Sequence, residues 1–274
     1  MRSLCLGVCL LVACYNPDLQ SGHFACNSDV DCPTSMRCLN RLCVTPPAGP
    51  GSPADCRQIL QEKPGAPSGT YAIWPKGAES FFDVHCDMSA EGGGWTLVLK
   101  ANGSRSTFAY GSAQWTSAAP LNPASTALDD GEAKLASYST VPFTQVRLGL
   151  VVGMASKYVT LESAAPSMLT RMQGSYVATS LGRTAWKDLV AGASLQPNCN
   201  QEGFNVAPAG GNAVKVRIGI VGNEQGDCSS PDSGLGLGGG GGSCTPMVSV
   251  GNAAGCGGDA GNVVKAAVGF LFVR

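Results

Sequence analysis

Side chains that could carry out catalysis are scarce in this chain of 274 residues. Histidine, the usual base of a hydrolytic triad, occurs only as His23 and His85. His23 falls in a short tether and His85 in an alternating strand pattern, whereas catalytic groups concentrate in loops. A pair of carboxylates can hydrolyse glycosides without histidine, but the 19 acidic residues are sparse and no aromatic-lined cleft is evident around them. We therefore predict that the protein is not an enzyme.

The composition excludes one class of partner and limits the fold. The net charge is −1 and only 14% of the residues are charged. A nucleic-acid-binding surface needs lysine and arginine clustered on one face, so we expect no nucleic-acid partner. The 37 glycines favour loops, turns and short strands over helices. The length suits one sizeable domain with small appendages.

The N-terminal residues have the features of an export signal. Residues 1–13 begin with one positive charge and continue with an apolar run from Leu4 to Ala13. This run is too short to span a bilayer, but it suits the core of a signal peptide. Leu-Val-Ala-Cys at 11–14 resembles the bacterial lipobox, and the resemblance implies cleavage before Cys14 and acylation of its thiol. An ordinary secretory signal that is cleaved elsewhere is the alternative.

Cleavage at Cys14 also explains an odd number of cysteines. Of the 13 cysteines, Cys5 and Cys9 leave with the signal peptide and Cys14 takes the lipid, which leaves ten. An even number in an exported chain predicts five disulfides. Tyr15, rather than aspartate, follows the lipidated cysteine, and by resemblance to proteobacterial sorting this favours the outer membrane. We expect a lipoprotein of the outer membrane or cell surface, held to the membrane of the cell envelope by its N-terminal lipid.

A compact cysteine cluster follows the tether at 14–25. The module at 26–43 has the spacing C-x5-C-x5-C-x4-C, and a segment this short needs crosslinks in place of a buried core. Four cysteines allow three pairings. The module resembles small cysteine-rich spacer modules of secreted proteins, which implies the pairs Cys26–Cys38 and Cys32–Cys43. A structural zinc site is the alternative.

A linker rich in proline and glycine at 44–54 leads to the main domain at 55–274. Asp55 is suited to cap a short helix that extends through Lys63. Alternating and apolar patterns predict short strands at 69–74, 80–86, 95–100, 214–221 and 263–273, and a second short helix at 184–193. The stretch between the last two strands is rich in glycine and cysteine and has little periodicity. We expect it to hold its shape only through crosslinks or a bound ion.

The most specific pattern in the chain runs from Asp55 to Trp95. It comprises Asp55-Cys56, Ser-Gly-Thr-Tyr at 68–71, Val-His-Cys-Asp-Met at 84–88 and Gly-Gly-Gly-Trp-Thr-Leu at 92–97. The pattern resembles the start of the fibrinogen C-terminal-like domain, with His85 in place of the usual tyrosine. The resemblance implies an α+β fold with mixed short sheets, few short helices and long loops, braced by disulfides. A pair between Cys56 and Cys86 would join the capped helix to the sheet.

Several short motifs of the C-terminal third carry a second resemblance. They are Val216-Arg217-Ile218, Asn223-Glu224, the glycine run at 238–242, Gly251-Asn252 and Lys-Ala-Ala-Val at 265–268. These motifs resemble the intelectins, and over the whole domain the chain resembles bacterial proteins with a lone Gly-Gly-Gly-Trp motif. Intelectins hold the vicinal diol of a glycan on calcium, so the resemblance implies a calcium cofactor. The acids available to a calcium ion, which takes six to eight oxygens, are Glu224, Asp227, Asp232 and Asp259. Solvated loop acids are the alternative.

The residue types of the C-terminal third limit what the intelectin resemblance implies. From residue 205 to residue 269 the chain has no histidine, phenylalanine, tyrosine or tryptophan, so the histidine ligand and aromatic box of the intelectins have no counterpart there.

Chain proximity suggests the remaining disulfides, Cys199–Cys228 and Cys244–Cys256. We expect a recognition module that binds carbohydrate or another extracellular ligand. The alternative is a structural or protein–protein adhesion module with no sugar site.

Overall fold

The computed structural model of the protein describes residues 24–33, 36–39, 41–45 and 52–274. The chain divides into two units, Met1–Ser52 and Pro53–Arg274. The expected signal peptide and Cys14 lie outside the described residues. Within the described ranges, no helix has both the length and the apolar character needed to cross a membrane.

The first unit is a small hairpin held by two disulfides. Strands β1 (Arg37–Leu39) and β2 (Leu42–Val44) pair antiparallel, with Cys38 opposite Cys43. The disulfides are Cys26–Cys38 and Cys32–Cys43, so these four sulfur atoms are not available as thiolate ligands for the alternative zinc site. Val44 belongs to β2, which means that the chain is still paired where the sequence predicts the start of the linker.

The second unit begins with a capped helix and an antiparallel meander. Helix α1 (Cys56–Glu62) has Asp55 as its N-cap, and the Asp55 carboxylate accepts from the Gln58 backbone N–H, which satisfies one of the unpaired donors of the first turn. The strands are β3 (Gly69–Ile73), β4 (Phe82–Asp87) and β5 (Trp95–Asn102). The Cys56–Cys86 disulfide joins α1 to β4. Pro53 already accepts a hydrogen bond from the Trp74 N–H, so packing starts before residue 55.

The glycine triplet before Trp95 is required by close packing. Gly93 has φ of 72° and Gly94 has φ of 77°, in the left-handed region that favours glycine. A Cβ at Gly93 would overlap the Met88 carbonyl, and a Cβ at Gly94 would lie 2.9 Å from the Arg57 Cα. The turn delivers Trp95 to a fully buried position, where the Arg274 guanidinium stacks 4.2 Å from its ring centroid.

Two antiparallel sheets form the body of the second unit. Besides β3 to β5, the strands of the larger sheet are β6 (Ala133–Lys134), β7 (Phe143–Val152), β8 (Ala155–Ala165) and β15 (Val268–Val273). Those of the smaller are β9 (Val177–Ala178), β10 (Asn198–Val206), β11 (Val216–Asn223), β12 (Ser233–Leu237), β13 (Val250–Ala254) and β14 (Val263–Ala266). The larger sheet has the order β3-β4-β5-β15-β7-β8, with β6 beside β5, and the smaller has the order β14-β13-β12-β11-β10-β9. The other helices are α2 (Ser137–Thr140), α3 (Met168–Gln173) and α4 (Arg183–Asp188).

The structure corrects three of the predicted elements. The single strand expected at 263–273 is two strands, β14 and β15, which belong to different sheets and meet at the buried Ala267. The helix expected at 184–193 ends at Asp188 and continues only as tight turns. The glycine-rich stretch before residue 263 contains β12 and β13, which are buried throughout. Strands therefore dominate the described residues, and the helices of the second unit have four to seven residues.

The core of the second unit includes two lysines as well as aromatic rings. The largest fully buried side chains include Trp95, Trp115 and Trp186. Lys100 is fully buried, and its ammonium donates to Ser125 Oγ, the Ala127 carbonyl and the Asp129 carboxylate. Lys134 donates to the carbonyls of Gln114 and Ser117, and burial lowers its pKa below the ordinary lysine value. The two lysines thereby tie long loops to strands β5 and β6.

Candidate functional site

A cleft beside the Cys199–Cys228 disulfide has the most suitable lining for a ligand. We call it the disulfide cleft. Its volume is about 640 Å³, within the range of small-molecule sites. Lining side chains include Tyr176, Thr179, Asn200, Gln201, Pro208 and Ser229. The lining thus combines one aromatic ring with several neutral hydrogen-bonding groups, and no lysine or arginine is part of it.

An irregularity at the start of β10 brings polar side chains to the cleft. The β10–β11 register shifts between Asn198 and Gln201, and Cys199 has a positive φ of 49°. A bulge of this kind redirects side chains out of the regular alternation. The disulfide to Cys228 fixes the irregular segment to the loop after β11, with a Cα–Cα distance of 5.1 Å. Asn200 and Gln201 therefore line the cleft from a braced segment of chain.

Tyr176 provides the aromatic wall of the cleft. The residue is 40% exposed, and its hydroxyl donates to the Glu202 carbonyl at 2.9 Å. Partial burial raises the pKa of the Tyr176 phenol above its ordinary value, so the hydroxyl remains a protonated donor at neutral pH. This hydrogen bond fixes the far end of the ring, while a large part of the side chain stays accessible.

Glu202 lies in the lining as a fully used hydrogen-bond acceptor. Its Oε2 accepts from Thr179 Oγ1, the Leu181 N–H and Trp186 Nε1 at 2.8, 3.0 and 2.7 Å, and its Oε1 accepts from the Gly182 N–H at 2.8 Å. Partial burial acts to raise the pKa of Glu202, but these donors outweigh it, and the pKa lies below the ordinary value. The carboxylate therefore stays ionised and positions the segment after β9.

An ion cluster behind the cleft orients Asn200. Arg183 donates to the Asn200 Oδ1 atom and to the carbonyls of Leu195 and Gln196. The Asp259 carboxylate pairs with Arg183 at 2.8 Å and with Lys187 at 2.5 Å. The Asn200 amide nitrogen donates to the Pro197 carbonyl. Because its oxygen and one amide hydrogen are committed, Asn200 presents a single remaining donor in a defined direction.

The four acids expected to bind calcium do not form one ligand set. Asp259 is paired with Arg183 and Lys187. Partial burial acts to raise the pKa of its carboxyl group, but the hydrogen bonds from these cations outweigh it, and the pKa is strongly lowered. Asp227 accepts from the hydroxyls of Ser229 and Ser230. Glu224 has one buried carboxylate oxygen without a hydrogen-bond partner. Over the described ranges, only one group of three side chains of metal-binding type lies close together. It consists of cysteines of the first unit, and all of them are already in disulfides. Calcium takes six to eight oxygens from carboxylates, carbonyls, amides and waters, and within the described ranges no three carboxylates lie close enough together to share one ion.

The remaining residues singled out from the sequence have structural surroundings. His85 lies on β4 against Phe272, with ring centroids 6.4 Å apart, and burial lowers its pKa, with Asp87 acting in the opposite direction. The structure also contains the Cys244–Cys256 disulfide. Sequence reasoning missed Tyr176, Asn200 and Gln201. For Asn200 and Gln201, the one available signal was their position directly after Cys199. Tyr176 lies in a segment with no recognisable motif.

The comparisons with known proteins concern mainly the first part of the second unit. Residues 52–118 match the family model described as "Fibrinogen beta and gamma chains, C-terminal globular domain". The chain is 44% identical over 62 residues to the fibrinogen alpha-2 chain of Petromyzon marinus, which covers 20% of this chain and 10% of that protein. It is 39% identical over 59 residues to Techylectin-5A of Tachypleus tridentatus, or 21% of this chain and 20% of the relative.

These matches are partial in both directions. The chain spans about a tenth to a fifth of the length of these curated relatives, and the disulfide cleft lies outside residues 52–118, which match the family model. Among solved structures, the fibrinogen-like globe domain of human ANGPTL6 is 14% identical, with 81% of this chain and 97% of that chain covered and a TM-score of 0.39. The family-model match therefore supports a fibrinogen C-terminal-like domain in this chain, carried by residues 52–118.

Proposed function

We propose that this protein is a cell-surface lipoprotein that recognises an extracellular glycan through the disulfide cleft. The observation that carries the proposal is the combination of an accessible Tyr176 ring with neutral amides and hydroxyls in a cavity of sugar-binding size. A pyranose ring has an apolar C–H face and a rim of hydroxyls. An aromatic wall covers the face, and polar groups can pair with the rim. The match to Techylectin-5A, a lectin by name, supports a recognition role.

Anchoring by lipid is the second part of the proposal. The Leu-Val-Ala-Cys sequence at 11–14 and the apolar run before it support acylation of Cys14. The disulfides of the described cysteines suit an exported protein, because disulfides persist outside the reducing cytosol. In this arrangement the lipid holds the chain at the outer membrane or cell surface, and the second unit meets ligands outside the cell.

A glycan array with the exported chain tests the binding site. We expect hits, and we expect Tyr176→Ala to weaken them about thirtyfold, because truncation of a central aromatic contact costs about 2 kcal/mol. Tyr176→Phe keeps the ring and should retain most of the affinity. Met154→Ala is the matched control, since Met154 is fully exposed at the β7–β8 turn and lines none of the cavities discussed. Because the four acids do not form one ligand set, the hits should persist in the presence of a chelator.

Three outcomes of the same experiment would contradict these expectations. Hits that survive Tyr176→Ala unchanged would show that the disulfide cleft is not the sugar site. A blank array would favour the alternative of a protein–protein adhesion module with no sugar site. Loss of hits in chelator would restore a calcium-dependent mechanism that uses ligands other than the set described above.

A further inference from the structure

Two further cavities of the second unit continue from the disulfide cleft, the first beside the cleft and the second beside the first. The strand-edge groove, of about 440 Å³, is lined by residues 160–162 and 178–181. The arginine cavity, of about 500 Å³, is lined by Arg57, Gln61, Thr144, Gln145, Glu162 and Arg274, among others. Thr179 lines both the disulfide cleft and the strand-edge groove, and Glu162 lines both the groove and the arginine cavity. The three spaces therefore follow one another across the surface.

The strand-edge groove lies between the edges of the two sheets. Strand β8, which contains residues 160–162, is the last strand of the larger sheet, and β9, which runs into residues 178–181, is the last strand of the smaller. An edge strand presents backbone N–H and C=O groups that no neighbouring strand pairs. Hydroxyls of Thr160 and Ser180 add polar groups from either side. The groove thus offers hydrogen-bonding groups along its length and suits a polar chain better than a compact apolar ligand.

The arginine cavity has a fixed and a free guanidinium. Arg274 donates through Nη1 to the carbonyls of Glu91 and Gly93 and through Nε and Nη2 to the Gln145 Oε1 atom, so four of its five N–H donors are committed. Arg57 lies in α1, and its Cα packs closely against Gly94. Among the described residues, the Arg57 side chain has no hydrogen-bond or ion-pair partner. The base of this side chain is held in place while its guanidinium remains available.

Charge determines which ligand group the arginine cavity favours. Two guanidinium groups face one carboxylate, that of Glu162, whose Oε1 already accepts from Gln145 Nε2 at 2.6 Å. A planar carboxylate matches the donor fork of a free arginine and can accept two parallel hydrogen bonds. The disulfide cleft, by contrast, has no lysine or arginine in its lining. The chain of cavities therefore has no cationic side chain at one end and two guanidinium groups at the other.

We propose that the ligand is a linear acidic oligosaccharide, which runs from the disulfide cleft through the strand-edge groove and places a carboxylate on Arg57. This inference rests on the proposed function, and it adds the ligand's length and charge. Each cavity has the volume of a small-molecule site, so together they accommodate several sugar units rather than one. Affinity increases with chain length until the arginine cavity is reached, and there a terminal uronic acid binds better than a neutral hexose.

The test uses a glycan array of linear chains from one to eight units, in neutral form and with a terminal uronic acid. We expect the strongest hits among acidic chains of three units or more. Chemical reduction of the carboxyl group of the strongest hit should weaken binding at least about tenfold, because a charge-assisted hydrogen bond is lost. Arg57→Glu should reproduce that loss for the acidic chain and leave the carboxyl-reduced chain unaffected. Lys63→Glu is the matched control, with the same charge change at the exposed end of the same helix.

The outcomes separate this inference from the proposed function. Binding of single neutral sugars that requires Tyr176, with no gain from length and no effect of Arg57→Glu, would overturn the inference and leave the glycan site standing. Equal weakening by Arg57→Glu and Lys63→Glu would indicate a general charge effect and would also overturn it. A blank array would overturn both.

Discussion

Replacing Glu202 by glutamine should loosen the wall of the disulfide cleft without removing any apolar contact. The glutamine oxygen can take the place of Oε2 and keep the bonds from Thr179, Leu181 and Trp186, but the Gly182 N–H then faces an amide NH₂ group. The Gly182 N–H is exposed and can bond to water instead, but hydrogen bonds to a charged acceptor are stronger than neutral ones by about 1 kcal/mol each, so the three retained bonds weaken. We therefore expect the free energy of unfolding to fall by about 2–3 kcal/mol.

The loss should depend on pH with a defined sign. The pKa of Glu202 is lower in the folded protein than its ordinary value of 4.5. A carboxylate with a lowered folded pKa stabilises the protein fully above its unfolded pKa, and this stabilisation disappears as the pH falls through the folded pKa. The difference between the wild-type protein and Glu202→Gln should thus be largest near neutral pH and should shrink as the pH drops below about 4.5.

Thermal unfolding of the two proteins at pH 7 and pH 3.5 measures both effects. For a unit of the size of Pro53–Arg274, about 2–3 kcal/mol corresponds to a decrease in Tm of roughly 5–10 °C. Glu162→Gln is the matched control, because the Glu162 side chain is exposed and makes one side-chain hydrogen bond, to Gln145. It should change stability by less than about 0.5 kcal/mol. Equal effects of the two substitutions, or a Glu202→Gln effect that is unchanged at pH 3.5, would refute the reasoning.

Two further predictions concern the anchor and the first disulfide of the second unit. Cys14→Ser should release the protein from membranes, as measured by fractionation after a high-salt wash, and a membrane-bound variant would contradict lipid anchoring. The Cys56–Cys86 disulfide closes a loop with a sequence separation of 30 residues and should contribute about 3–4 kcal/mol in the chain-entropy model. Peptide mapping without reduction should recover the two cysteines as one linked pair, and a free thiol at either position in the exported protein would count against it.

The start of the second unit could be derived from sequence because its signals are local. Asp55 caps α1 through a hydrogen bond to a residue three positions away. The strands β3 to β5 follow one another as a meander, so neighbours in sequence are neighbours in the sheet. The glycine triplet precedes a buried tryptophan within a single turn. Each of these interactions spans few residues, and residue type and spacing are then sufficient to predict it.

The strands of the C-terminal third could not be derived in the same way. In β12 and β13, glycine and alanine occupy buried positions that larger side chains usually fill, so the alternation that predicts a strand is faint. The apolar run at 263–273 predicts one strand, but the chain passes from one sheet to the other at Ala267. Nothing in local composition marks that crossing. Pairing with β13 on one side and with β5 and β7 on the other determines it.

By itself, the sequence determined the cysteine-rich module, the capped helix, the glycine turn and the scarcity of catalytic groups, because these depend on residue type and short spacing. The candidate site was decided only by the tertiary structure. Tyr176 and Ser229 are 53 positions apart in the chain, and they meet because β9, β10 and the Cys199–Cys228 disulfide bring their loops together. Asp259 illustrates the same limit, since its carboxylate could serve as a metal ligand by residue type. Long-range packing places Arg183 and Lys187 on it, and neither residue type nor spacing reveals these ion pairs.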